Sequence, residues 1–184
     1  MDERIRNSFL HEHIPYRLNR ISEIFLIDQL RKIGGESEEI TILVDRHTKI
    51  NASSIHFFTD PIYETTLIFI RVMLEFLGLK LNSKNSEIIE RGKKQKQDDV
   101  VIEDFGLKKI SLGEVGSPKN LECLAHTIRC AHKAVAHLTK GPKTEWDFNK
   151  NLYSAKKVIE LINNNLYKSL RMPPIKTSFS LDGN

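Results

Sequence analysis

The sequence predicts an all-α fold, an up-and-down bundle of four to five helices, and three observations carry that expectation. Apolar residues recur at helical spacing in four long stretches. A cap residue followed directly by proline opens two of them, and glycines close most of them. Only one short segment could be a strand, and a lone strand would leave its backbone groups unpaired. The chain has 184 residues. It reads as a single domain over residues 1–172, of which about 150 ordered residues would bury on the order of 70% of their extended-chain surface, with residues 173–184 as a proline-punctuated, mobile tail.

Along the chain, Ile5, Phe9 and Leu10 suggest a short helical lead-in ending near His11 and His13, with a break at Pro15. From Ile14 to Ile33 the stripe Leu18, Ile21, Ile24, Phe25, Leu30 and Ile33 makes the first long helix, which Gly34-Gly35 stops. Residues 38–54 fit either a strand, with Ile40, Ile42 and Val44 alternating, or a helical face; helix is preferred because no partner strand is evident. Asp60-Pro61 then caps and opens a helix that runs to Gly78 and is apolar nearly all round, the expected centre of the bundle. Arg71 and Glu75, four apart on it, can pair.

Residues 82–116 read as an irregular insertion within the domain, containing Lys93, Lys94 and Lys96 and ending in a half whose Val100, Val101, Ile102, Phe105, Leu107 and Ile110 should pack on the core. Ser117-Pro118 opens the third long helix, running to about Thr139 before Gly141-Pro142. Thr144 is the expected cap of the last helix, with Asp147 as its capping-box partner and Phe148, Leu152, Ala155, Ile159, Ile162 and Leu166 as its seam.

The composition narrows the function classes. The termini and apolar runs show neither a signal peptide nor a stretch of ~20 apolar residues, so a soluble, cytoplasmic protein with no membrane association is expected. Cys123 and Cys130 lie two turns apart on one helix and cannot bridge within it, which points to reduced, buried thiols. With 28 basic and 24 acidic residues the net charge of +4 permits an anionic partner such as RNA without requiring one. No glycine-rich phosphate loop, Cys-x-x-Cys pair or compact histidine-carboxylate motif is present, so no cofactor and no metal are expected.

Chemistry-bearing residues concentrate between Ser117 and Lys140, which holds three of the seven histidines. Leu121, Leu124, Ala125, Ile128, His132, Val135 and Leu138 form its core stripe. A second row, His126, Arg129, Lys133 and His137, recurs at three- and four-residue steps and points one way. Such a row can bind phosphates and exchange protons near neutral pH, or can simply be a solvated basic face.

Ala131-His132-Lys133-Ala134-Val135-Ala136-His137, on the third long helix and followed by a final helix near Trp146, resembles the motif region of HEPN (higher eukaryote and prokaryote nucleotide-binding) helical domains. The arginine-histidine motif departs from the family pattern in one respect: seven residues separate Arg129 from His137, one more than is usual. The resemblance implies an RNA-binding protein. It further implies a metal-independent endoribonuclease of a toxin or antiviral defence type, acting as a homodimer, or else an inactive interaction or scaffolding module with a protein partner such as an antitoxin. In the first case His137 would be the base, with Arg129 or Lys133 clamping the phosphate. RNA contacts would come from His126, Arg129, Lys133, Lys93, Lys94 and Lys96, with Arg71 and Glu75 as a supporting pair facing the same groove.

Overall fold

Where the apolar stripes predict long helices, long helices form, and most of the described stripe residues enter one core; Ile33, at the end of the first stripe, is instead 83% exposed. The computed structural model describes residues 1–34, 40–43, 49–92, 99–132 and 147–180. The described residues are mainly helical, with two small two-stranded sheets among them.

The N-terminal helix α1 (Glu3–Ser8) is capped by Asp2, whose carboxylate accepts the Arg4 amide at 3.0 Å. It continues through a widened π-helical turn (Phe9–His13) into α2 (Ile14–Gly34). The break expected at Pro15 is therefore a widened turn instead. In that turn the Ile14 amide bonds the Phe9 carbonyl. The next bond of the same kind would need an N–H on residue 15, and proline has none. The Leu10 carbonyl accepts the Tyr167 hydroxyl at 2.7 Å. Both residues are buried, so this bond joins the two ends of the chain across the core.

The segment expected to be helical over residues 38–54 is instead a hairpin. β1 (Ile40–Leu43) pairs antiparallel with β2 (Lys49–Ala52), Ile40 opposite Ala52 and Leu43 opposite Lys49. The partner strand lay within the same segment, so the backbone groups that argued against a strand are paired locally. Leu43 and Ile50 are exposed, which places their side chains outside the core.

α3 (His56–Leu77) starts a turn earlier than Asp60, with the Thr59 amide already bonded to the Ile55 carbonyl at 3.1 Å. Pro61 therefore lies inside the helix rather than opening it. α3 packs against α2, α5 and α6, as a central helix must. Its burial is one-sided, however: Leu67, Ile70, Leu74 and Leu77 are sealed, whereas Ile68 and Val72 are more than a third exposed. Thr66 fastens α3 to α2 by donating to the Arg20 carbonyl at 3.0 Å. Gly78 ends α3 at φ 93°, a left-handed cap that suits glycine, and a Cβ there would meet the Lys109 Cβ at 2.6 Å.

The 82–116 insertion carries more structure than its sequence pattern suggests. β3 (Leu79–Leu81) and β4 (Ile88–Glu90) form a second hairpin, followed by a 3₁₀ turn (Ile102–Phe105) and the short α4 (Leu112–Val115). Ile88, Ile102, Phe105, Ile110 and Val115 all enter the main core. The expected packing of its second half is thus realised.

α5 (Pro118–Cys130) opens at Ser117-Pro118 as its sequence requires. α6 (Phe148–Ile162) is capped by Asp147 itself, whose carboxylate accepts the Lys150 amide at 3.0 Å; the Thr144 cap lies outside the described residues. The buried side of α6 is Asn151, Ser154, Ala155, Val158, Leu161 and Ile162. It is turned from the expected seam, leaving Phe148, Leu152 and Ile159 at its partly buried margin. A second π-helical turn (Asn163–Tyr167) then places Tyr167 in the core. Beyond it the tail has irregular backbone but is held: the Ile175 amide donates to Asn163 Oδ1 at 2.8 Å and the Ser178 amide to Asn19 Oδ1 at 3.0 Å. No helix of the described residues is long and apolar enough to cross a membrane.

Removing the Tyr167 hydroxyl leaves the buried Leu10 carbonyl without its partner. Tyr167→Phe is expected to lower unfolding stability by about 1–3 kcal/mol in urea titrations at unchanged slope; a change below about 0.5 kcal/mol would show that water replaces the hydroxyl.

Candidate functional site

α5 has two faces, and the structure assigns its polar residues to them differently from the sequence pattern. From Cys123 to Cys130 the helix is buried nearly all round: Cys123, Leu124, Ala125, Thr127, Ile128 and Cys130 are buried, and so is His126, at 7% exposure. The placement of His126 corrects the expectation that it shares an outward row with Arg129.

The reason lies in a buried polar seam between α3, α5 and α6. Thr127 Oγ1 donates to Asn151 Oδ1 at 2.7 Å and lies 2.8 Å from Ser154 Oγ, which can donate to the Lys150 carbonyl at 2.9 Å. Asn151 Nδ2 donates to the Tyr63 hydroxyl. Thr127, Asn151 and Ser154 are all fully buried. Burial pushes Tyr63 up to about 12, against the opposing effect of the Asn151 hydrogen bond. Sequence reasoning missed these residues because it ranked α6 by apolar periodicity. The available signal was Asn151 and Ser154 at a helical step, each able to reach a hydroxyl on α5.

His126 borders this seam. Its Nε2 accepts the Asp147 backbone amide at 3.3 Å and lies 3.4 Å from Cys130 Sγ. An Nε2 that accepts a hydrogen bond carries no proton, which assigns the ring proton to Nδ1. Desolvation lowers the pKa of His126 below 6.5, and the positive charges of Lys150 and Arg129 act in the same direction, opposed by Asp147 and Glu122. Burial likewise raises the Cys130 and Cys123 thiols. Thiol and imidazole are therefore a neutral pair, and the two cysteines are free, as their spacing requires. This arrangement stabilises the α5–α6 contact and gives neither a nucleophilic thiolate nor a phosphate-binding imidazolium.

The outer face holds Arg129. Its Nη1 donates to the Ser86 carbonyl at 3.0 Å and reaches the Asn85 carbonyl at 3.5 Å, so α5 grips the turn of the β3–β4 hairpin. Asn85 adopts φ 54°, a left-handed conformation that asparagine tolerates. Nearby, Glu122 and Lys150 pair at 2.7 Å between α5 and α6, which holds the Glu122 carboxyl below its ordinary value. The described part of this surface is thus mixed in charge. His132 is half-buried. Lys133 and His137, the other members of the row, and Lys93, Lys94 and Lys96 lie outside the described residues.

Arg71 and Glu75 do pair, Nε to Oε1 at 2.8 Å, with side chains 36% and 43% exposed. They line a groove with Arg17, Lys80, Arg91 and Asp99, to which no described residue of α5 contributes. The expectation that this pair faces the same groove as the α5 row is not met among the described residues.

Compared with known proteins, the chain matches no family model, no curated protein and no solved structure.

The lowered pKa of His126 makes the folded state bind fewer protons than the unfolded chain as pH falls below 6.5. Its contribution to stability is present above the unfolded value and is lost as pH drops through that value toward the folded one. In urea titrations across this window, wild type is expected to lose stability on acidification more steeply than His126→Gln; parallel profiles would mean that the ring titrates alike in both states.

Proposed function

We propose that the chain is a HEPN-like helical domain of the cytoplasm that binds RNA through its phosphates. The up-and-down order of its long helices, and a pairing of two chains that would bring two copies of the α5 row together, belong to the same proposal. Arg129 is the contact made by the described residues. Sequence periodicity puts Lys133 and His137 on the same row one and two turns on.

The observation that carries this reading is the pose of Arg129. One nitrogen of its guanidinium is fastened to the hairpin carbonyls, while Nε and Nη2 have no partner among the described residues. A guanidinium held by one edge loses little further freedom when the other takes a phosphate oxygen, and its planar donors suit that ligand. Contacts of this kind read phosphates rather than base sequence.

Cleavage without metal needs a base for the 2′ hydroxyl and a cation for the charged phosphorane. In the endoribonuclease form of the proposal His137 is the base and Arg129 or Lys133 the cation. His126 is excluded from either role by its burial and its accepted hydrogen bond. One observation favours the second reading, a catalytically silent interaction module with a protein partner such as an antitoxin. The Glu122–Lys150 pair on the same α5–α6 surface is neutral overall, so it adds nothing to the positive potential that Arg129 offers RNA.

Fluorescence anisotropy with a single-stranded RNA tests the binding claim. Arg129→Ala is expected to weaken binding and to reduce the slope of log Kobs against log salt by about 0.7; an unchanged slope would place the phosphate contacts elsewhere. For the catalytic claim, RNA is incubated with the protein in the presence of a chelator. Cleavage by wild type and its loss in His137→Ala are expected. Binding with no cleavage by wild type would select the silent module.

A further inference from the structure

The groove between α2, α3, β3 and the chain that follows β4 is a separate place with its own chemistry. It encloses about 440 Å³, within the range of small-molecule sites. Ile14, Met73, Phe76 and Val101, all buried, give it an apolar floor. Arg17, Arg71, Lys80 and Arg91 supply four positive groups to its lining, against the carboxylates of Glu75 and Asp99.

Arg91 is the most informative. Its side chain is only 5% exposed, and one guanidinium nitrogen, Nη2, contacts both carboxylate oxygens of Glu103 at 3.1 Å. Its backbone is fixed as well: the amide donates to the Gly78 carbonyl at 2.6 Å, and Lys109 Nζ donates to its carbonyl at 2.7 Å. Yet Nε is buried and has no hydrogen-bond partner among the described residues. A charged side chain brought this far from water normally has all its donors answered. Glu103 answers one nitrogen of this guanidinium and leaves Nε without a partner, in a residue that lines a groove whose other cations are more accessible. Arg17 has one nitrogen on the His13 carbonyl at 2.8 Å, and Arg71 has Nε on Glu75, so each retains donors beyond those bonds.

From these features we infer that the groove binds a small organic oxyanion, a carboxylate or phosphate monoester on an apolar body. The headgroup meets Arg91, Arg71 and Lys80, and the body lies on Phe76, Met73 and Val101. Counting Glu103, the cations exceed the carboxylates by one (four against three), which suits a single compact anionic headgroup. The inference is independent of the RNA reading, since Arg129 is not part of the groove.

Isothermal titration calorimetry on the full chain tests it with four probes: phenyl phosphate, benzoate, inorganic phosphate and neutral benzyl alcohol. One aromatic oxyanion or both should bind at or below about 1 mM, and the tighter of the two assigns the headgroup. Inorganic phosphate and benzyl alcohol should each bind at least about tenfold more weakly. Arg71→Gln and Lys80→Gln alter partly exposed side chains and are expected to preserve the fold, checked by circular dichroism, while each weakens binding about tenfold. Arg129→Ala should leave it unchanged. The inference is overturned if neither aromatic oxyanion binds by about 10 mM, if benzyl alcohol binds as well as they do, or if Arg71→Gln and Lys80→Gln both bind like wild type. Equal binding of inorganic phosphate would overturn the role given to the apolar floor.

Discussion

The constraint that organises the functional part of this molecule is the hydrogen-bonded seam of Thr127, Asn151, Ser154 and Tyr63. A polar group buried without a partner costs about 1–3 kcal/mol, and here the Asn151 amide takes its partners from the two other helices, Thr127 on α5 and Tyr63 on α3, while Thr127 and Ser154 also reach carbonyls of their own helices. Turning α5 by one residue, about 100°, would present Ile128 to Asn151 and take away the hydroxyl that donates to Asn151 Oδ1. The seam therefore fixes the rotation of α5. Once that is fixed, His126 and Cys130 must lie inside beside Asp147, and Glu122 and Arg129 must lie outside. Which residues of α5 can meet a ligand is decided by which residues must meet Asn151.

Much of the fold was legible because it rests on signals the sequence expresses locally. The stripes of α2, α3 and α5, the glycine stop at Gly78 and the apolar half of the insertion all depend on burial periodicity or on one residue's backbone freedom. What was not legible depends on partners distant in the chain. Pro15 suggests a break, but its effect is absorbed by a widened turn, and the Leu10 carbonyl is answered by a tyrosine 157 residues away. Pro61 after an aspartate looks like a helix start, yet the preceding turn is already helical. The β1–β2 hairpin was hidden because each of its strands has only four residues, too short to separate alternation from a helical face. His126 fits a surface row by spacing alone, and only Asp147 and Cys130 show why it is not there.

The basic residues that the sequence pattern gathers into one expected site occupy two separate places in the described structure. Arg129 sits at the end of α5, braced on the β3–β4 turn. Arg71 lies over a groove whose apolar floor and deeply buried Arg91 are unlike an open polyanion surface. The first place suits a long ligand held by its charged backbone, the second a compact anion with an apolar body. The sealed interior between α5 and α6 separates structural polar groups from these surfaces, so His126 and Cys130 serve the fold.

The α5 interior is neutral and structural, and its state can be read at one ring. NMR titration of the His126 imidazole, with ¹⁵N shifts to identify the tautomer, is predicted to show a pKa below 6.5 and the proton on Nδ1 in the neutral form. A pKa at or above 6.5, or a proton on Nε2, would mean that the ring faces solvent or an acid and that α5 is rotated from the position the seam requires.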